Sequence, residues 1–376
     1  MNHYCTYFDR GFLVQGLALW RSLEAHDPEA VLWVLALDDV THEILHDLKE
    51  PGLEAVSLGE LEAADLQLAA AKDNRTRVEY YFTLSPCWPR WLLATQPGVE
   101  RITYLDADLF FFANPAPIFT AMEVARASVL ITAHRFPSWL EHYEKHGRFN
   151  VGVLVFHNDP AGRACLDQWR AQCLEWCYDQ LEDARYADQK YLDQWPTQLG
   201  ASLLVLDHPG VNFAPWNWAG ASVNAPRHAE NATTQLSING SPLIVFHFAR
   251  YREAADSRWS HAGQLDYGVM PYRLRNAIYG PYSRALAAAR AEILARRPEF
   301  MRAKISRRSG REFWRTLPLR IVFGGDWLRI GGRFHNLRFG LGRWSGQCLA
   351  ALRRLRFRRN RTSENTSHTT HRAAEK

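Results

Sequence analysis

The feature of the sequence that most constrains the fold is an unbroken run of seven apolar residues, Val31–Leu37. A strand that is apolar on both faces must be covered on both faces, as strands inside a parallel sheet are. Similar short runs recur along the chain, and stretches with helical spacing separate them. The predicted strands are His3–Phe8, Val31–Leu37, Leu53–Ser57, Arg101–Leu105, Ser128–Ala133, Val151–Phe156, Leu203–Leu206 and Leu243–Phe248. This alternation predicts the α/β class, with a Rossmann-like, mostly parallel sheet flanked by helices.

Helical spacing between the strands places apolar residues on one side, as Leu13, Leu17 and Trp20 show in the first such segment. The predicted helices are Phe12–Glu24, Thr41–Leu48, Arg75–Thr95, Pro160–Gln180 and Arg284–Arg296. We expect a break in the third helix near Pro86 and Pro89, because proline removes a backbone donor. Ligands of such sheets bind beyond the carboxyl ends of the strands, so we expect functional residues there.

The charge is distributed unevenly along the 376 residues. Residues 301–376 hold 19 Lys and Arg against four Asp and Glu, a net +15, whereas the first 300 residues carry a net −10. With 47% hydrophobic and 23% charged residues, the chain as a whole is neither disordered, collagen-like nor a coiled coil. We predict a catalytic domain at 1–282, a helical, basic extension at 283–359 and a disordered tail at 360–376.

The start of the chain has no basic segment followed by an apolar stretch, and no run of about 18 apolar residues occurs anywhere. We therefore expect a cytoplasmic protein without a spanning helix. The six cysteines form no Cys-x-x-Cys pair. Their expected role is that of small apolar residues in a reduced core.

The basic extension combines aromatic and arginine residues, and Gly342–Arg359 carries Trp344, Leu352 and Leu355 at helical spacing among arginines. A helix of this composition suits an anionic membrane surface, which predicts a peripheral position on the inner face of the cell membrane. Arginine clusters also bind nucleic acids. No recognisable nucleic-acid-binding module accompanies them, so no nucleic-acid partner is expected. A solvated segment without a partner is the remaining alternative.

Two carboxylates interrupt an apolar stretch at the end of a predicted strand, where Asp106 and Asp108 follow Tyr104-Leu105. Charged residues at such positions are usually paired or bound to a metal. Residues two apart in an extended segment point the same way, so both carboxylates can face one cation. Their oxygens suit Mg²⁺ or Mn²⁺, which commonly bridge substrate phosphates. The alternative is a turn or capping pair at a strand end.

The segment around these two aspartates resembles the Asp-x-Asp motif of GT-A glycosyltransferases, and the chain resembles glycosyltransferase family 8 and its bacterial relatives over about residues 1–255. The matching segments follow the family's order along the chain: His3–Leu23, Tyr104–Asp108, Phe149–Val153, Asp188–Lys190 and Phe246–Phe248. The resemblance implies a GT-A fold and a retaining enzyme of polysaccharide biosynthesis. Such an enzyme moves a sugar from a nucleotide-diphosphate donor to a glycan or lipid-linked acceptor.

The resemblance also implies roles for individual residues. His247 would join Asp106 and Asp108 on the metal, Mn²⁺ or Mg²⁺. Asp188 and Gln189 would act near the reacting carbon of the sugar. The nucleotide contacts would be Tyr7, Phe8, Asp9, Arg77 and Arg250. Asn150 and Gly152 would line the sugar pocket, and Trp216 with Asn217 is a candidate acceptor platform, since aromatic faces suit sugar rings.

Several positions depart from the family's pattern. Arg250 or Arg252 stands where a phosphate-binding lysine usually follows the late His-Phe, Thr83 is near the place of a common arginine, and Lys190 replaces an aspartate. A haloacid-dehalogenase-type phosphatase and a non-catalytic glycan-binding or membrane scaffold protein are the alternative functions. We expect Asp38-Asp39 to be a solvated loop or an N-cap. His134-Arg135 follows a strand end and could contact substrate, but a surface role is the default expectation.

Overall fold

The computed structural model describes residues 1–225, 236–253, 259–261, 267, 272–302, 326–330 and 333–335. Its centre is a seven-stranded sheet with the order β3-β2-β1-β4-β7-β6-β8. The strands are β1 His3–Phe8, β2 Val31–Ala36, β3 Leu53–Ser57, β4 Arg101–Leu105, β6 Val129–Ala133, β7 Phe149–His157 and β8 Leu203–Val205, with β5 Leu109–Phe111 outside this sheet. Neighbouring strands are parallel except at β7, which runs antiparallel to β4 and β6. The predicted mixed α/β class with a mostly parallel sheet is confirmed.

Helices cover both faces of this sheet. They are α1 Leu13–His26, α2 Asp39–Leu48, α3 Leu58–Ala64, α4 Leu66–Ala70, α5 Arg77–Thr95, α6 Ala116–Ala125, α7 Pro160–Glu175, α8 Trp195–Leu199 and α9 Tyr272–Arg296. Successive residues of β1 point to opposite faces, so Tyr4 packs in a core with Trp20 of α1, whereas Cys5 packs with Trp88 of α5 and Trp169 of α7. Asp38 caps α2 by accepting a hydrogen bond from the Thr41 amide, as predicted.

Short antiparallel strands extend the fold beyond the main sheet. Strand β12, Val245–His247, pairs with β5, so that His247 lies opposite Leu109. The remaining strands are β9 Val223–Asn224, β10 Ser237–Ile238, β11 Ser241–Pro242, β13 Arg252–Glu253, β14 Trp259–His261, β15 Asp326–Ile330 and β16 Arg333–His335. Short 3₁₀ helices cover Ala71–Asn74, Glu141–His146, Lys190–Gln194, Gly200–Ser202, Trp218–Gly220 and Pro298–Arg302.

The helices around α5 and α7 differ from the prediction in two places. Helix α5 runs unbroken through Pro86 and Pro89, because Leu84, Trp88 and Leu92 are fully buried and their packing offsets the lost backbone hydrogen bonds. Helix α7 ends at Glu175 and not at Gln180. Arg75 donates hydrogen bonds to the carbonyls of Cys173 and Leu174, which satisfies the last turn of α7.

The secondary structure and the start of the predicted basic extension also differ from the prediction. Residues Asp326–Ile330 and Arg333–His335 form strands that continue the sheet of β13 and β14, where we predicted helix. Helix α9 also crosses the predicted boundary at 282/283, and its Ala289 and Ile293 belong to the main core. Gly342–Arg359 and the tail at 360–376 lie outside the described residues. None of the helices described is long and apolar enough to cross a membrane.

Candidate active site

Three potential metal ligands converge beyond the carboxyl end of β4. One ligand atom each from Asp106, Asp108 and His247 lie within 4.8 Å of one another. Nε2 of His247 is 3.6 Å from Oδ2 of Asp106 and 3.2 Å from Oδ1 of Asp108. The pairing of β5 with β12 produces this convergence, since the Phe248 amide donates to the Asp108 carbonyl at 2.9 Å. The aspartates and the histidine are therefore positioned by backbone pairing.

Charge and burial act against each other in this cluster. Burial raises the pKa of Asp106, the nearby His247 opposes that shift, and the charge of Asp108 adds to it. Burial disfavours the charged form of His247, but the two carboxylates outweigh it and raise the pKa of the imidazole. Two carboxylates in such a place disfavour each other's ionisation, so a cation between them would relieve the repulsion.

A network of buried amides supports His247 from behind. Nδ1 of His247 is 3.2 Å from Oδ1 of Asn212, which is 2% exposed and has a left-handed backbone with φ of 51°. The amide of Asn212 donates to Thr132 Oγ1 at 2.8 Å and to Asn150 Oδ1 at 2.9 Å. Gly152 provides the space for the ring, because a Cβ there would lie 2.8 Å from Nδ1 of His247.

The same network reaches the predicted sugar-contacting residues. Asn150 Oδ1 accepts from the Gly152 amide at 2.9 Å, and its Nδ2 lies 3.2 Å from Nε2 of His134 and 3.4 Å from Oε1 of Gln189. Gln189 in turn donates to the carbonyl of His146 at 3.1 Å. Gln189 is thus linked to His247 through Asn150 and Asn212, and its side-chain orientation is fixed by these contacts.

Asp188 is 6% exposed and lies close enough to Asp106 for the two charges to interact. Burial raises the pKa of Asp188 to about 7, a hydrogen bond with Ser85 opposes this shift, and the charge of Asp106 adds to it. Ser85 also bonds the Tyr7 hydroxyl at 3.0 Å, and Tyr104 donates to Oδ1 of Asp106 at 3.0 Å. A buried carboxyl group whose pKa lies near neutrality, beside a metal-type cluster, is a candidate for catalysis.

The residues predicted to contact the nucleotide lie in different environments. Phe8 is buried in the core beneath α1, where its ring fills the space beside Gly16. Asp9 accepts from the Gly11 amide at 2.8 Å and from the Tyr81 hydroxyl at 3.4 Å. Arg77 is exposed, and its guanidinium lies 6.0 Å from the centre of the Tyr81 ring. Asp9 and Arg77 therefore share Tyr81 as a neighbour.

The late arginine and the aromatic loop lie on the His247 side of the site. Arg250 follows β12 with a left-handed φ of 61°, and its guanidinium lies 5.6 Å from the ring centre of Tyr267. Trp216 packs edge to face with His247, with ring centres 5.5 Å apart, and its buried Nε1 has no hydrogen-bond partner among the described residues. Trp216 therefore sits beside the cluster.

Asn217 and the pair His134-Arg135 have structural roles that the sequence did not reveal. Asn217 donates to the carbonyls of His134 and Arg135 and accepts from the Ala214 amide, which uses both ends of its amide. The expected surface position of His134 and Arg135 is wrong. His134 is buried, and Arg135 donates at 2.8 Å to the carbonyl of His208 and at 2.6 Å to that of Val211, just before Asn212.

Comparison with known proteins shows the family of the chain. It is 34% identical over 256 residues to YfnF, an uncharacterized protein of Bacillus subtilis strain 168, covering 66% of this chain and 81% of YfnF. The chain belongs to the YfnF family. YfnD of the same organism is 30% identical over 301 residues, covering 79% of this chain and 93% of YfnD. No protein-family model matches the chain.

Among solved structures, this YfnF-family protein is similar to the galactosyltransferase LgtC in complex with donor and acceptor sugar analogues. The two share 15% sequence identity with a TM-score of 0.47, over 77% of this chain and 95% of LgtC. The family assignment rests on the two Bacillus proteins alone.

Proposed function

We propose that the protein is a divalent-metal-dependent, retaining glycosyltransferase of GT-A type, similar to glycosyltransferase family 8. It would move a sugar from a nucleotide-diphosphate donor to a glycan or lipid-linked acceptor. The observation that carries this proposal is the cluster of Asp106, Asp108 and His247, with ligand atoms within 4.8 Å of one another at the carboxyl end of β4. Asp188 and Gln189 lie beside this cluster and are linked to it through charge and hydrogen bonds.

The donor set fits a divalent cation. Two carboxylates and one imidazole would offer a cation two hard oxygen ligands and one nitrogen. The partly exposed Asp106 and Asp108 face the open side, whereas His247 is 6% exposed and closes the inner side. When bound, Mn²⁺ or Mg²⁺ supplies stabilisation of the negative charge that develops on the leaving diphosphate.

The protein's own residues would divide the remaining work around the donor. Asp9 follows β1 and Arg77 begins α5, and both lie near Tyr81. Asp9 would accept hydrogen bonds from the nucleoside, and Arg77 would pair with phosphate. Arg250, exposed after β12, is a second candidate for the diphosphate. A positively charged side chain near the leaving group would add to its stabilisation.

Asp188 would act at the sugar. An ionised carboxylate beside the reacting carbon stabilises the oxocarbenium-like charge of a glycosyl transition state. A pKa of about 7 leaves the side chain partly ionised near neutral pH, and its hydrogen bond with Ser85 favours that form. The amide of Gln189 is fixed by Asn150 and His146, which would position its remaining N–H against the sugar.

The acceptor would approach past Trp216, whose ring centre lies 5.5 Å from that of His247. We further propose that the basic segment Gly342–Arg359 holds the enzyme on an anionic membrane surface, where a lipid-linked acceptor is found. No observation favours the phosphatase or the non-catalytic scaffold over glycosyl transfer.

Donor hydrolysis tests the proposed function. The protein is incubated with a panel of UDP-, GDP- and other nucleotide-activated sugars in Mn²⁺ or Mg²⁺, and the released nucleotide is measured. We expect release with at least one donor, abolished by a chelator and strongly reduced in Asp108→Ala, while Asp167→Ala, at the surface away from the site, retains it. Cation-independent release of phosphate from generic phosphate esters would contradict the proposal and support a phosphatase.

A further inference from the structure

The hydrogen-bond network behind His247 fixes which of its ring nitrogens carries the proton. An asparagine side chain has an acceptor oxygen and a donor nitrogen, and its orientation is set by the fixed groups around it. The backbone amide of Gly152 is such a fixed group, because it is only a donor. It lies 2.9 Å from Oδ1 of Asn150, which places the oxygen of Asn150 on that side.

Asn150 then sets the orientation of Asn212. Since Oδ1 of Asn150 accepts from its neighbours, the group of Asn212 that lies 2.9 Å from it is the donor Nδ2. Asn212 Nδ2 also donates to Thr132 Oγ1 at 2.8 Å, in agreement with this orientation. The oxygen of Asn212 consequently faces Nδ1 of His247 at 3.2 Å, so Nδ1 carries a proton and Nε2 is the nitrogen available to a cation.

The other end of Asn150 gives the same answer independently. Nδ1 of His134 lies 3.3 Å from the carbonyl of Arg148, which only accepts, so Nδ1 of His134 carries a proton. Burial lowers the pKa of His134 to about 3, so its ring is neutral and Nε2 is an acceptor. Asn150 presents its donor nitrogen to that Nε2 at 3.2 Å, which again places its oxygen toward Asn212.

We infer that Asn212 is a positioning residue for the cation site: held by Asn150 and Thr132, it keeps the proton of His247 on Nδ1 and the lone pair of Nε2 aimed between Asp106 and Asp108. This inference rests on the proposed cation site. A metal-bound histidine needs a partner for its other nitrogen, and loss of such a partner typically lowers metal affinity 10–100-fold. The left-handed backbone of Asn212, with φ of 51°, suits Asn, Asp or Gly.

The test uses the full-length protein and Mn²⁺ binding followed by electron paramagnetic resonance. Asn212→Gly keeps the left-handed backbone and removes the acceptor, so we expect Mn²⁺ affinity to fall about 10–100-fold. Asn212→Asp keeps an oxygen facing Nδ1 but loses the donor to Thr132 and Asn150, so we expect a smaller loss of affinity than in Asn212→Gly. Asn158→Ala is the matched control, because it removes amide hydrogen bonds to the carbonyls of Leu93 and Val99 away from the site.

Each outcome has a separate meaning. A larger loss of affinity in Asn212→Gly than in Asn212→Asp, with retention in Asn158→Ala, supports the role of Asn212. Wild-type affinity in Asn212→Gly, or equal losses in both Asn212 variants, overturns it while leaving the cation site in place. Absence of Mn²⁺ binding in the wild type overturns the cation site of the proposed function together with this inference. Thermal unfolding of each variant identifies any that is unfolded, and Asn212→Asp then provides the comparison.

Discussion

The buried carboxyl of Asp188 gives a prediction with a definite sign and size. Its pKa is raised from 3.8 to about 7, chiefly by burial. Between these values the folded state holds a proton that the unfolded state has released, so stability falls as pH rises, and the fall is complete above about pH 7. A shift of this size corresponds to about 4 kcal/mol in total, or somewhat over 1 kcal/mol per pH unit. Asp188→Asn cannot ionise and removes this fall.

The assay is urea unfolding of the metal-free protein from pH 4.5 to 8.5, followed by tryptophan fluorescence. We expect the stability advantage of Asp188→Asn over the wild type to be smallest at pH 4.5 and to grow up to about pH 7. Asp65→Asn is the control. Burial opposes ionisation of Asp65, but Arg170 outweighs burial and lowers the pKa of this carboxyl. The stability difference between Asp65→Asn and the wild type should therefore stay constant over this pH range. A pH-independent difference for Asp188→Asn, or one that favours the wild type at high pH, would refute the reasoning.

Three further predictions follow from the same site and from the basic extension. Gly152→Ala places a Cβ 2.6 Å from Asn150 Oδ1 and 2.8 Å from His247 Nδ1. Thermal unfolding should therefore show a free energy of unfolding lower by about 1–3 kcal/mol, and Mn²⁺ titration should show weaker binding. Unchanged values for both would contradict the packing described. Ser85→Ala removes the hydrogen bond that lowers the pKa of Asp188, so the midpoint of its pH-dependent stability should move to higher pH, and a shift to lower pH would be inconsistent with the contact. Deleting 342–376, which spares β15 and β16, should release the protein from anionic vesicles in a flotation assay at moderate salt, whereas equal binding of the truncated protein would assign membrane binding elsewhere.

The sequence predicted the sheet well because its strands carry strong local signals. Val31–Leu37 and Arg101–Leu105 are apolar enough to be recognised alone, and the structure has strands at Val31–Ala36 and Arg101–Leu105. The continuity of α5 through Pro86 was not predictable, since it depends on the burial of Trp88 between elements distant in sequence. The strand Asp326–Ile330 likewise forms by pairing with Trp259–His261, a partner that local patterns do not identify.

The site residues differ in the same way, because some carry a local sequence signal and others do not. Asp106 and Asp108 interrupt an apolar run, which makes them visible in the sequence, and family resemblance added His247. Asn212 carries no such signal, because one asparagine in a loop rich in Trp, Asn and Pro looks like a turn residue. Its role appears only when β12 and the loop before it bring it to His247, 35 positions away in the chain.

The most direct test of the central claim is a crystal structure of the protein with Mn²⁺ and a nucleotide-sugar donor, with the cation located by its anomalous scattering. We predict one anomalous peak coordinated by Asp106, Asp108, Nε2 of His247 and the donor diphosphate, with the sugar lying against Asp188 and Gln189. A donor bound elsewhere, or a donor bound at this site with no cation among these three residues, would contradict the account.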